Sequence, residues 1–155
     1  MSIKRRTFLK GTLASGTVGV AVGAGLLTPQ AVLADWPKQA FEAKKMDPAL
    51  EKLVGTASPE ASDKITVKAP DIAENGAVVP ITVETGLAAS TITIVAKENP
   101  APLIATFDMT DQTAGYVSTR IKMGKTSDVV AVVESGGKVY QAAKEVKVTI
   151  GGCGG

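Results

Sequence analysis

Glu145-Val146-Lys147-Val148-Thr149-Ile150 runs directly into Gly151-Gly152-Cys153-Gly154-Gly155, the last residues of the sequence. Val146, Val148 and Ile150 alternate with Glu145, Lys147 and Thr149, the period of two that puts one face of a strand in a core and the other in water. The same period recurs upstream. Ile65 and Val67 alternate with Lys64, Thr66 and Lys68, and strand-like runs fall at 78–84, 91–97, 103–109, 116–123, 128–134 and 139–150. About seven strands at this spacing predict an immunoglobulin-like antiparallel β-sandwich. Turn chemistry separates them at Asn75-Gly76, Asn99-Pro100, Gly124 and Gly136-Gly137, where Asn-Gly and Gly-Gly pairs supply positive φ. Pro80, inside a strand-like run, points to an edge or a bulge.

Before residue 58 the period is helical. Ala40, Phe41, Ala43 and Lys44 precede a break at Asp47-Pro48, which predicts two short helices with Asp47 as N-cap, Pro48 at the first helical position, Glu51 in the first turn and Gly55 just past the end. Leu50, Leu53 and Val54 form the apolar face, Met46 is a packing residue, and Lys44, Lys45, Glu51 and Lys52 are solvated.

The first residues carry a different signal. Lys4-Arg5-Arg6-Thr7-Phe8-Leu9-Lys10 is followed by a weakly apolar, glycine-rich run, and Val32 with Ala34 forms a small-residue cleavage pattern before Asp35. Arg5, Arg6, Phe8 and Leu9 match a twin-arginine export signal, and the glycines, Ser15 and Thr17 argue against a membrane anchor. The expected organisation is a signal peptide at 1–34, a helical segment at 35–57, a β-sandwich at 58–150 and a C-terminal arm at 151–155. Removal of the signal takes four basic residues and no acidic ones, so a chain of net charge +2 becomes one of 13 basic and 15 acidic residues, net −2. With charges of both signs scattered and 4% aromatic residues, neither a nucleic-acid stripe nor a stacking platform is present. Once the signal is removed, no stable membrane association is expected.

Cys153 is the sole cysteine and the chain has no histidine. A catalytic cysteine needs a fixed proton acceptor and a cleft, and tetrahedral zinc of the Cys/His kind needs more ligands than these. No cofactor or metal is expected. Prenylation is excluded because Cys153 is followed only by Gly154 and Gly155. Gly151 and Gly152 give a thin backbone on which Cys153 extends about 10 Å past Ile150. A carrier thiol or an intermolecular disulfide remains, and the second would make the chain an exported immunoglobulin-like binding or structural module that dimerises through Cys153. With the terminal carboxylate close by, and Lys147 the nearest cation in sequence, the thiol is not expected to be activated in the free protein. A ubiquitin-like carrier working through Gly154-Gly155 fits less well, since its fold places a helix between the strands. Asp108/Asp111 and Glu42/Asp47 read as solvated charges rather than acid–base pairs. Export of a folded chain without a cofactor suggests assembly with a partner that has no signal of its own.

The terminal Gly151-Gly152-Cys153-Gly154-Gly155 after Val146-Lys147-Val148-Thr149-Ile150, with the stretch from Ala73 to Glu84 (AENGAVVPITVE) and the twin-arginine signal, resembles the SoxY family, thiol-bearing subunits of periplasmic thiosulfate oxidation. The resemblance implies a non-catalytic carrier on whose Cys153 sulfur intermediates ride covalently as S-thiosulfonate and persulfide. It implies a heterodimer with a SoxZ-like β-sandwich subunit and three visiting enzymes: a haem-containing SoxAX-like loading enzyme, a SoxB-like hydrolase that releases sulfate, and a SoxCD-like sulfane dehydrogenase.

Overall fold

The computed structural model describes residues 37–150. Its centre is a long antiparallel hairpin of β8 (Ser127–Ser135) and β9 (Lys138–Val148), in register from Ser127 opposite Val146 to Ser135 opposite Lys138. The two-residue turn between them is Gly136-Gly137, with φ of 57° and 75°. Both values lie where a Cβ is unfavourable, and such turns match the twist of the flanking strands, as the Gly-Gly pair predicts.

Around this hairpin the larger sheet runs β1 (Glu60–Ala61), β9, β8, β5 (Thr91–Ala96), β6 (Leu103–Asp108), with β3 (Ile72–Ala73) also on the outer edge of β9. The contacts of β1 and β3 with β9 are parallel and two residues long, too short to leave an alternation in the sequence. A smaller sheet is ordered β2 (Ile65–Lys68), β4 (Val79–Thr85), β7 (Tyr116–Ile121), all antiparallel. Its Ile65, Val79, Ile81, Val83, Val117 and Ile121 meet Ile92, Ile94, Val129, Ala131, Val133 and Val146 of the larger sheet in one buried cluster. This is the predicted sandwich.

The larger sheet is buried on its other face as well. Val95, Leu103, Val130 and Val132 pack there against Ala40, Ala49 and Leu50 of the helices α1 (Lys38–Phe41) and α2 (Met46–Val54). β5 and β8 are therefore covered on both sides, which is why Val129 to Val133 reads as an unbroken apolar run. Leu50 is fully buried, and removing such a side chain from water contributes about 1.5–3 kcal/mol.

The break between helices falls at 42–45 rather than at Asp47-Pro48. Lys45 is the extended residue before α2 and offers no side-chain cap; Asp47 and Pro48 are the second and third helical residues, and Glu51 lies mid-helix. Met46 joins the helix because it packs on the Ala49/Leu50 cluster, and Pro48 is tolerated because first-turn N–H groups lack helical acceptors anyway. Gly55 ends the helix as predicted, with φ of 73° and its N–H on the Glu51 carbonyl at 3.1 Å. Pro80 lies in the central strand of the small sheet, opposite Arg120, so β4 is not an edge strand. The pairing with β2 begins only at Thr82, however, and no described strand lies beside Pro80 on that side.

Candidate functional site: the base of the C-terminal arm

Cys153 and the arm glycines Gly151, Gly152, Gly154 and Gly155 lie outside the described residues, as do Arg5, Arg6, Phe8 and Leu9 of the predicted signal. What the structure describes is the ground from which the arm leaves. The alternation predicts Ile150 as an inward-facing end of the last strand. Instead β9 stops at Val148; Val146 is buried, Val148 half-buried, and Ile150 is 68% exposed.

The chain at this point is held by its backbone. On the outer edge the N–H of Lys147 donates to the Asp71 carbonyl (3.0 Å) and that of Thr149 to the Ala73 carbonyl (3.1 Å), while the Thr149 hydroxyl donates to the Glu74 carbonyl (3.0 Å). On the other edge the N–H of Val148 donates to the Thr126 hydroxyl (3.0 Å). The Ile150 carbonyl accepts the N–H of Gly76 at 2.8 Å, and the Gly76 carbonyl accepts that of Met123 at 2.7 Å. Peptide groups paired in this way lose order only at the expense of several bonds, so the point of departure is fixed.

Gly76 sits in a tight turn. The Asn75 carboxamide oxygen accepts the N–H of Ala77 at 2.8 Å, and the Val78 N–H lies 3.4 Å from the Asn75 carbonyl. Gly76 is not at positive φ, contrary to the Asn-Gly expectation; the side chain of Asn75 makes the turn, and Gly76 is buried between Ile150 and Met123. Gly76, Thr126 and Thr149 as holders of the arm's base escape sequence reasoning, because each acts through contacts made only when three chain segments meet. Ile72 (58% exposed) and Val78 (55%) stand on the same holding segment, so with Ile150 three of the four large exposed apolar residues among the described residues surround the base.

Beside it lies a cleft of about 670 Å³ lined by Lys44, Lys45, Met46 and Asp47, by Lys97 to Pro100, and by Gly124 and Lys125. Asn99 closes its floor: its amide donates to the Lys122 carbonyl (2.7 Å) and its side-chain oxygen accepts the Gly124 N–H (3.0 Å). A smaller pocket of about 360 Å³ lies at the opposite end of the sandwich and holds Asp111 as its one ionisable residue. Asp108, Asp111, Glu42 and Asp47 are all exposed, as solvated charges are. Among the described residues no group of three histidine, cysteine or carboxylate side chains is arranged to hold a metal, and no helix is long and apolar enough to cross a membrane.

Comparison with known proteins adds three findings. The model of a family described as sulfur oxidation protein SoxY matches residues 50–153. The solved structure of the sulfur carrier protein SoxY from Chlorobium limicola f thiosulfatophilum is 43% identical, with a TM-score of 0.63, over 74% of this chain and 100% of that one. A superoxide reductase (neelaredoxin) from Ignicoccus hospitalis, 15% identical with a TM-score of 0.51 over 58% of this chain and 94% of its own, shares the fold alone. No curated protein matches. The extent of the family match, together with an identity of this size over the whole of a solved relative, makes the chain a member of the SoxY family.

Proposed function

We propose that the chain is a covalent sulfur carrier: Cys153 receives a sulfur oxyanion, holds it on the terminal arm and presents it to partner enzymes, catalysing no step itself. The observation that carries this is a lone thiol three residues beyond Ile150, whose carbonyl is held by Gly76, in a chain 43% identical to a sulfur carrier. A fixed base and a glycine-flanked tip suit a group that must enter several clefts in turn. Loading joins the Cys153 thiolate to thiosulfate as Cys–S–S–SO₃⁻, with two electrons passing to the oxidising partner, a haem enzyme of the SoxAX kind. Water then displaces sulfate and one proton in a SoxB-like hydrolase, leaving Cys–S–SH, whose outer sulfur a SoxCD-like dehydrogenase oxidises.

The carrier works in the periplasm after twin-arginine export at Arg5-Arg6, as a heterodimer with a SoxZ-like β-sandwich subunit that crosses with it. A thiol that is not activated suits an oxidising compartment, because it resists disulfide formation and overoxidation until a partner's cleft activates it. Cys153→Ser is expected to leave folding and partner binding intact and to abolish thiosulfate-dependent turnover in the reconstituted system, since a hydroxyl cannot form the linkage. Retained turnover would remove the carrier reading.

A further inference from the structure

We propose that the lysine-lined cleft beside the arm's base is a resting site for the sulfonate that the loaded arm carries, a docking place on the carrier for its own cargo. The proposal rests on the carrier reading. It starts from charge. Lys44, Lys45, Lys97 and Lys125 line the cleft against the carboxylates of Asp47 and Glu98. Lys125 is 3.2 Å from Glu98 and Lys97 is 3.9 Å from Asp128, whereas Lys44 and Lys45 form no ion pair among the described residues. With Asp128 counted among the acids, the balance is still positive. The cleft is open, so an anion can enter without rearrangement of the fold.

Reach is the second part. Lys125 adjoins Thr126, whose hydroxyl holds Val148, and Gly124 adjoins Met123, which is joined to Ile150 through Gly76. The cleft lies at the ends of β8, the neighbour of β9 in the sheet, and of β5, the strand beyond it. Two strand spacings amount to about 10 Å. Cys153 stands at most about 10 Å beyond Ile150, and the Cys–S–S–SO₃⁻ group adds further length.

Tethering decides whether such a site is occupied. Exposed lysines bind a free monoanion weakly, but a short flexible tether supplies an effective concentration in the millimolar range, so even a weak site fills when the anion is attached to the arm. The unloaded thiol carries no sulfonate and is not held. Loss of sulfate to the hydrolase removes the group the lysines recognise, so occupancy follows the cargo.

The test loads the full-length chain without enzymes. Tetrathionate converts an exposed thiol and one S₄O₆²⁻ into the protein S-thiosulfonate, S₂O₃²⁻ and H⁺, and a methanethiosulfonate reagent attaches a neutral methyl disulfide for comparison. Amide resonances of Lys45, Gly124 and Lys125 are expected to move on sulfonate loading, to stay on methyl disulfide loading, and to return when salt is raised to about 1 M, where screening acts within about 3 Å. In Lys44→Gln/Lys45→Gln, whose exposed side chains leave the core untouched, the movement should fall at least twofold while the rest of the spectrum is unchanged. Three outcomes overturn the proposal: no movement on sulfonate loading, equal movement with the neutral adduct, or movement undiminished in the variant. Free thiosulfate titrated into Cys153→Ser at concentrations equal to the protein should move nothing; a full response there would mean a site for the free ion and not for the arm. Chemical loading needs only an exposed thiol, so these results stand apart from turnover, and a failure of the carrier reading shows in turnover by Cys153→Ser instead.

Discussion

Gly115 leaves no room for a side chain: a Cβ there would stand 2.4 Å from the Thr85 carbonyl oxygen and 3.0 Å from its Cγ2. The approach is fixed because the Thr85 N–H donates to the Gly115 carbonyl at 2.7 Å, so relief requires β4 and β7 to part. Gly115→Ala is therefore expected to destabilise the fold by about 1–3 kcal/mol, read as a lowered urea midpoint at constant slope. Gly86, with nothing within 4 Å of its Cβ position, is the control, and Gly86→Ala should stay within about 0.5 kcal/mol. Equal losses at the two would show that crowding at Thr85 is not the cause. Nothing in the sequence distinguishes these glycines, because the difference lies in what comes near from another strand. Asn99 was legible only by half: Asn-Pro marks the turn, but the two bonds of its buried side chain to Lys122 and Gly124 depend on the loop brought alongside.

The strands themselves were legible because period two survives wherever one face is wet, and the predicted runs fall within one or two residues of β4 to β9. Val129 to Val133 carried a further signal, an unbroken apolar run that implies cover on both faces and hence a place for the helices. The end of β9 was misread for a physical reason. The alternation continues to Ile150, but the pairing with β8 ends at Val146, and past Val148 the backbone is held by hydrogen bonds to Ala73 and Gly76, which leave no trace in side-chain pattern. That segment and the end of β9 form one small element, and it should open as one. Thr149→Val removes the hydroxyl bond to the Glu74 carbonyl and should speed amide exchange at Gly76 and Thr149 about fivefold, the equivalent of about 1 kcal/mol, while the amides of Val130 to Val132 keep their protection. Uniform acceleration through β8 would mean that the base is not a separate element.

At the scale of the molecule, β2 and β7 in the smaller sheet, and β6 and the short β1 and β3 in the larger one, are each paired on one side only among the described strands. Such edges invite a β-rich companion, and the proposed co-export makes that companion a subunit without a signal. In cells whose twin-arginine machinery is disabled, the complex is expected already formed in the cytoplasm, detected by copurification; recovery of the free chain alone would count against joint export. The central place of β8 has a consequence of another kind, in the order of synthesis. Val129, Ala131 and Val133 belong to the core between the sheets, and Val130 and Val132 to the core under the helices, so neither can close until β8 has been made. β8 and β9 are the last of the described strands to leave the ribosome. A polypeptide interrupted before Ser127 thus has no finished core to protect it from proteases, and a translocation route that accepts only folded cargo would reject it. Cys153 follows the same two strands by a few residues, so a stable core forms only when synthesis has come within a few residues of the thiol.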